Sequence, residues 1–231
     1  MQLTERYAAL WTRLGGTPDT VQGAAVVSAY NGPGRYYHNE THLKDVLEKL
    51  DWAKGALEKS GEVKHLSSPE KQKMFDTIEL ALWYHDAVYD GKAKDNEERS
   101  RDSFLQHAEK SGIPADVKKE VAALIDLTKH HKNAKTLPER ILTDCDLAIL
   151  GAAPAAFKAY DEGIRKEYAH VPAAVYKGAR RSVLKGFLDQ PRLFKTDAFH
   201  AEYDAPARAN LGQAVKNPVV SWAKGLFRNH K

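Results

Sequence analysis

Apolar side chains recur along this chain at spacings of three and four residues, and the stretches without that recurrence are marked by glycine and proline. Residues 2–14 predict a helix closed by Gly15-Gly16. Residues 17–34 carry no clear period and end in the breaker cluster Asn31-Gly32-Pro33-Gly34, so they read as a loop-rich approach. From Tyr36 to about Ala56, Leu43, Val46, Leu47 and Leu50 mark one helical face. Ser68-Pro69-Glu70 opens the next helix, a serine cap followed by proline at the first helical position, with Phe75, Ile78, Leu82 and Val88 along it. Residues 96–111 give another, stopped by Gly112 ahead of Pro114. Pro114 to His131 follows on the stripe Val117, Val121, Leu124 and Ile125. Further helices are expected at about 138–150, 154–168, 172–188 and 201–214, the last piece reaching Trp222 and Phe227. Sustained alternation of β-branched residues with hairpin turns is missing. The pattern predicts an all-α chain, a single-domain helical bundle of about eight or nine helices over residues 1–231, with no linker long enough to divide it.

Composition adds exclusions. Hydrophobic residues make up 42% and charged residues 29%, an ordinary globular balance. No run approaches the roughly 18 apolar residues of a membrane span, and the start lacks a signal peptide's apolar region. The single cysteine, Cys145, excludes an internal disulfide framework and Cys-rich metal sites, and a reducing cytoplasmic setting is the expectation. Ten histidines stand beside it, so any metal must be held by imidazole and carboxylate. The net charge of +4 comes from 35 basic and 31 acidic residues mixed along the chain. The densest basic segment, Arg180, Arg181 and Lys185, is too short for a dedicated nucleic-acid surface, which leaves a mild bias toward anionic ligands.

Four segments depart from this background. In Arg35-Tyr36-Tyr37-His38-Asn39-Glu40-Thr41-His42, the two histidines are four apart and can share a helical face. In Trp83-Tyr84-His85-Asp86-Ala87-Val88-Tyr89-Asp90, His85 follows Ile78 and Leu82 on the apolar side, which takes an ionisable pair inward. Thr128-Lys129-His130-His131 ends the helix with the Val117–Ile125 stripe. In the fourth, Leu142-Thr143-Asp144-Cys145-Asp146-Leu147-Ala148-Ile149-Leu150-Gly151, Asp146 lies in the stripe of Leu142, Ile149 and Leu150. Asp144 falls about 200° around the helix from it, so one metal does not use both. Two histidines and two aspartates from three inward-facing segments make a mixed nitrogen and oxygen site, suited to Mn, Mg, Fe, Co, Ni or Zn.

An early histidine at a helix start, a His-Asp pair ending a hydrophobic helix and a later Asp-x-Asp-Leu resemble the HD-domain metal-dependent phosphohydrolase superfamily. The wording RYYHNETH, WYHDAVYD, NEERS, DCDLAILG and IRKEY is similar to the family of predicted metal-dependent HD phosphohydrolases, over about residues 35–210. The resemblance implies a helical fold of the HD type and a divalent metal held by His85, Asp86 and Asp146. Its first histidine is His38 or His42; HD domains often place valine four residues on, where His42 has Val46, and His38 then becomes a neighbour or substrate contact. His130 and His131 stand where some HD domains add ligands for a second metal. Asp86 would also orient the attacking water, and Glu97 and Glu98 would align a ligand or act as base. Arg35, Lys129, Arg165, Arg180 and Arg181 are the cations available to a phosphoryl group. The implied activity is hydrolysis of a small phosphoester, a nucleotide being one candidate, through metal-activated water. A di-iron oxygenase and a non-catalytic nucleotide-binding module are the alternatives. Competing with each assignment is a structural one: a buried hydrogen-bonded cluster for His85, Asp86 and Asp146, and helix-end charges for Glu97, Glu98, His130 and His131.

Overall fold

α4 (Ser68–Tyr84) is the centre of the fold, because its residues from Phe75 to Tyr84 are all buried. A helix apolar on nearly every side must be surrounded, and α3 (Glu40–Ser60), α6 (Ala115–Leu127) and α7 (Leu137–Leu147) pack against it. The structure, a computed structural model, describes residues 2–217. α1 (Leu3–Arg13) lays Tyr7 and Trp11 over the centre, where the Tyr7 ring meets Trp83 edge-on at 5.3 Å and its hydroxyl lies 2.6 Å from that of Tyr84. Two buried carboxylates on α4 are paired from the same helix: Glu79 with Arg6 at 2.7 Å and Asp76 with Arg13 at 2.8 Å. α5 (Asn96–Lys110) covers α6, while α9 (Ala173–Leu188) and α10 (Asp197–Lys216) pack together. α8 (Pro154–Glu167) reaches back to the loop before α3. Buried apolar side chains form one cluster from Tyr7 to Ala214. Among the described residues there is no strand, and no helix is long and apolar enough to cross a membrane.

The expected elements need several corrections. Residues 17–34 are not loop-rich: α2 (Thr20–Tyr30) occupies their middle, capped by the Asp19 carboxylate, which accepts from the amides of Val21 and Gln22. Gly23 there faces the Tyr7 ring so closely that a Cβ would sit 2.8 Å from it, which is why glycine is accommodated inside this helix. With α2 the described residues hold ten α-helices, one more than the upper expectation. α3 starts at Glu40 because Asn39 caps it, accepting from the amides of Thr41 and His42, so His38 lies outside the helix. α6 stops at Leu127; a 3-10 turn, Thr128–Asn133, follows, and His130 has φ −144° and ψ 72°. α7 likewise gives way to a 3-10 turn at Ala148–Gly151. α10 begins four residues before expectation, at Asp197, where the Thr196 hydroxyl accepts from the Phe199 amide. Trp222 and Phe227 lie outside the described residues.

Candidate metal centre

Three separated pieces of backbone bring four ligating side chains together. The first turn of α3 presents His42, the residues just past α4 present His85 and Asp86, and the last turn of α7 presents Asp146. The Nε2 atoms of His42 and His85 are 3.1 Å apart. Asp86 Oδ2 lies 3.2 Å from the His85 nitrogen and 3.4 Å from that of His42, and Asp146 Oδ1 lies 3.5 and 3.4 Å from the same atoms. Atoms of His42, His85 and Asp146 all fall within 4.8 Å of one another. Ligands about 2.1 Å from one ion, at octahedral or tetrahedral angles, stand about 3.0–3.4 Å apart. The donor set therefore fits a divalent cation in chemistry and in spacing. His85 is also set as a ligand: its Nδ1 donates to the Leu82 carbonyl at 2.9 Å, which directs the other ring nitrogen at the cluster.

The cluster is electrostatically tense. Burial is the largest influence on each member and opposes the charged form. Mutual attraction outweighs it. Asp86 and Asp146 hold His85 well above the ordinary imidazole range, and Asp146 and Asp86 raise His42. His85 in turn is the main cause of both aspartates lying well below the carboxylate range.

His131 joins the cluster from the turn after α6, its Nε2 2.7 Å from the other oxygen of Asp146. His130 is exposed and is not brought to the site. Asp144 faces away: it accepts from the Lys195 and Thr196 amides and the Thr196 hydroxyl, tying α7 to the start of α10.

His38 stands beside the cluster, held by a carboxylate that local sequence pattern did not single out. Glu167, at the end of α8, accepts from the amides of Tyr36, Tyr37 and His38 through Oε1, at 2.8, 2.7 and 2.9 Å. Its Oε2 lies 2.7 Å from His38 Nδ1 and accepts from the Tyr89 hydroxyl at 2.9 Å, while the Tyr89 ring stacks on His38. Burial pushes the Glu167 carboxyl up; His38 and the backbone amides outweigh that and hold it below the usual value. Glu167 lies in the IRKEY segment, but nothing local gives its role, since the amides it gathers are about 130 residues away.

The cations divide. Arg35 spends its guanidinium on the carbonyls of His38, Asp86 and Ala87, which clamps the segments carrying the histidines and is not the expected phosphate contact. Arg165 donates to the Tyr168 and Val171 carbonyls and stacks on Tyr176. Arg180 pairs with Asp161 at 2.8 Å, and its neighbour Arg181 is exposed. Lys129 pairs with Glu98. A polar cleft of about 290 Å³ is lined by His85, Asp86, Glu97, Lys129 and His131. A larger, mostly apolar cavity of about 450 Å³ is lined by α8 and α9. His38, His131, Asp146 and Tyr168 border both. No protein-family model, curated protein or solved structure matches this chain.

Proposed function

We propose that this chain is a metal-dependent phosphohydrolase of the HD type acting on a small phosphoester. The observation that carries the reading is the convergence of His42, His85, Asp86 and Asp146 at donor separations of 3.1 to 3.5 Å, beside a cleft that admits a ligand. A bound divalent ion would supply Lewis-acid polarisation of the phosphoryl group and a water of lowered pKa.

The protein's own groups do the rest. Asp86 borders the polar cleft and can accept a hydrogen bond from the attacking water, which aims it. The water oxygen bonds to phosphorus as it gives a proton to Glu97, the ester P–O bond breaks, and the leaving oxygen takes a proton from His38 Nε2. Glu167 orients that ring through Nδ1. Lys129, which lines the same cleft, is a cation available for phosphoryl charge, and Glu97 lines the cleft as a candidate base.

The test is metal analysis of the purified protein followed by hydrolysis of nucleotides and simple phosphoesters with and without EDTA. EDTA-sensitive phosphate release that Asp86→Ala abolishes is the expected result; release that survives both ends the reading. Two irons per chain with oxygen-dependent turnover would replace it by the oxygenase alternative.

A further inference from the structure

Two residues that line the larger cavity each carry a buried polar atom with nothing to bind. Arg180 Nη2 and the Tyr176 hydroxyl are buried, their residues only 8% and 4% exposed, and neither has a hydrogen-bond partner. Buried polar atoms without partners are rare in folded proteins, and here both belong to residues lining one cavity. Its volume of about 450 Å³ lies within the range of about 300–1,000 Å³ seen for ligand pockets. The remaining wall is apolar and aromatic, with Tyr160, Ile164, Tyr168 and Phe187 prominent, and half-exposed Val183 belongs to the same lining.

Charge narrows the occupant. Arg180 Nε is already paired with the buried Asp161, and the guanidinium lies 5.0 Å from the Tyr160 ring centroid. That pairing cancels the charge and leaves a donor. A phosphate here would confront Asp161 and lose its water to an apolar wall; a neutral acceptor loses little. Because the cavity shares Asp146 with the metal centre and borders His38 and His131 beside it, one ligand can span both.

We propose that this cavity binds the substrate's leaving group, an aromatic moiety carrying a neutral carbonyl-type or ring-nitrogen acceptor that is read by Arg180 Nη2 and the Tyr176 hydroxyl. Arg180 is thereby a specificity residue, not a phosphate ligand. The inference rests on the phosphohydrolase reading for the phosphoryl end of the ligand, but the cavity's preference stands apart from it.

The experiment separates the two. In EDTA, wild-type protein is titrated by NMR or calorimetry with 4-hydroxyacetophenone and with 4-ethylphenol, which match in shape and differ in the acceptor. The ketone is expected to bind about tenfold more tightly, as a hydrogen bond to an otherwise unpartnered buried donor allows. Tyr176→Phe, which removes only an unpartnered hydroxyl, should erase a few-fold of that preference, and the double variant R180M/D161L, which leaves no lone buried charge, should erase the rest. Val183→Glu at the cavity wall should weaken both compounds. Equal binding of the two compounds, binding that ignores Tyr176→Phe and R180M/D161L, or no binding at all overturns the proposal. With metal restored, 4-acetylphenyl phosphate and 4-ethylphenyl phosphate are compared for turnover: no hydrolysis of either, with the ketone still preferred in EDTA, would sink the phosphohydrolase reading alone.

Discussion

His38 and Glu167 form a fixed pair: the imidazole Nδ1 lies 2.7 Å from a fully buried carboxylate oxygen, and the other oxygen of that carboxylate is held by three successive backbone amides. Such a carboxylate cannot swing, so it sets the direction of the ring's other nitrogen. If His38 donates a proton to the leaving group, His38→Ala should slow hydrolysis of an alkyl phosphate by about 10²–10⁴-fold. Its effect on 4-nitrophenyl phosphate, whose leaving group departs without a proton, should be far smaller. Equal losses on both substrates would reduce His38 to a structural part. Glu167→Gln should cost about 10–100-fold in kcat with metal content unchanged.

Metal content is the second expectation. His42→Ala, His85→Ala and Asp146→Ala should each abolish stoichiometric binding, read by elemental analysis after gel filtration. His131→Ala, which removes a contact to one oxygen of Asp146, should weaken affinity by about 10–100-fold, and His130→Ala should change nothing. The pH dependence has a definite sign. The carboxylates raise His42 and His85 against the pull of burial, so a cation must displace protons held more tightly than usual. Affinity therefore rises with pH until those imidazoles have released them, and isothermal titration should show proton release on binding.

Asp144 gives a prediction about stability. Burial lifts its carboxyl to about 6 against the pull of the Lys195 and Thr196 donors. A raised folded value means that its contribution is complete below the unfolded value near 3.8 and is lost as pH rises through 6. At about 1.4 kcal/mol per unit, the swing is about 3 kcal/mol. Asp144→Asn cannot titrate, so the stability difference between wild type and this variant should shift in the variant's favour from pH 4 to pH 7. Parallel urea midpoints across that range would show the carboxyl to be unperturbed.

Close backbone packing supplies the fourth. A Cβ at Gly151 would stand 2.7 Å from the Tyr203 carbonyl oxygen of α10, a contact that backbone cannot relieve by rotating a side chain. Gly151→Ala should destabilise by about 1–3 kcal/mol. Because the turn that holds Gly151 begins two residues after Asp146, metal affinity should fall with it. A variant as stable as wild type would show that α10 yields more easily than its packing implies.

Helical character was legible because the apolar spacing of α3 and α6 is strong and Ser68-Pro69-Glu70 marks the start of α4, and the four-residue cluster was legible because His85, Asp86 and Asp146 fall in or beside apolar stripes. α2 was hidden for the opposite reason: in Thr20–Tyr30 apolar residues fall on every side, so there is no period to detect, and Gly23 counts locally as a breaker. His38 and His42 do have helical spacing, but the Asn39 cap starts the helix between them. The roles of Glu167 and Arg35 escaped because most of their partners are amides and carbonyls, which have no identity in a sequence. Arg180 and Arg181 look alike on paper; only packing decides that one is buried against Asp161 and the other faces water.

The amides that Glu167 gathers belong to residues 36–38, and 129 positions separate His38 from it. Chains emerge from the ribosome N-terminus first. The loop before α3 therefore stays without its anchor until α8 has been made, although His42, His85 and Asp146 precede that helix. On the proposed function, the ligands are all synthesised before the residue that aims His38, so capture of a metal ion and competence to turn over substrate would belong to different moments of synthesis.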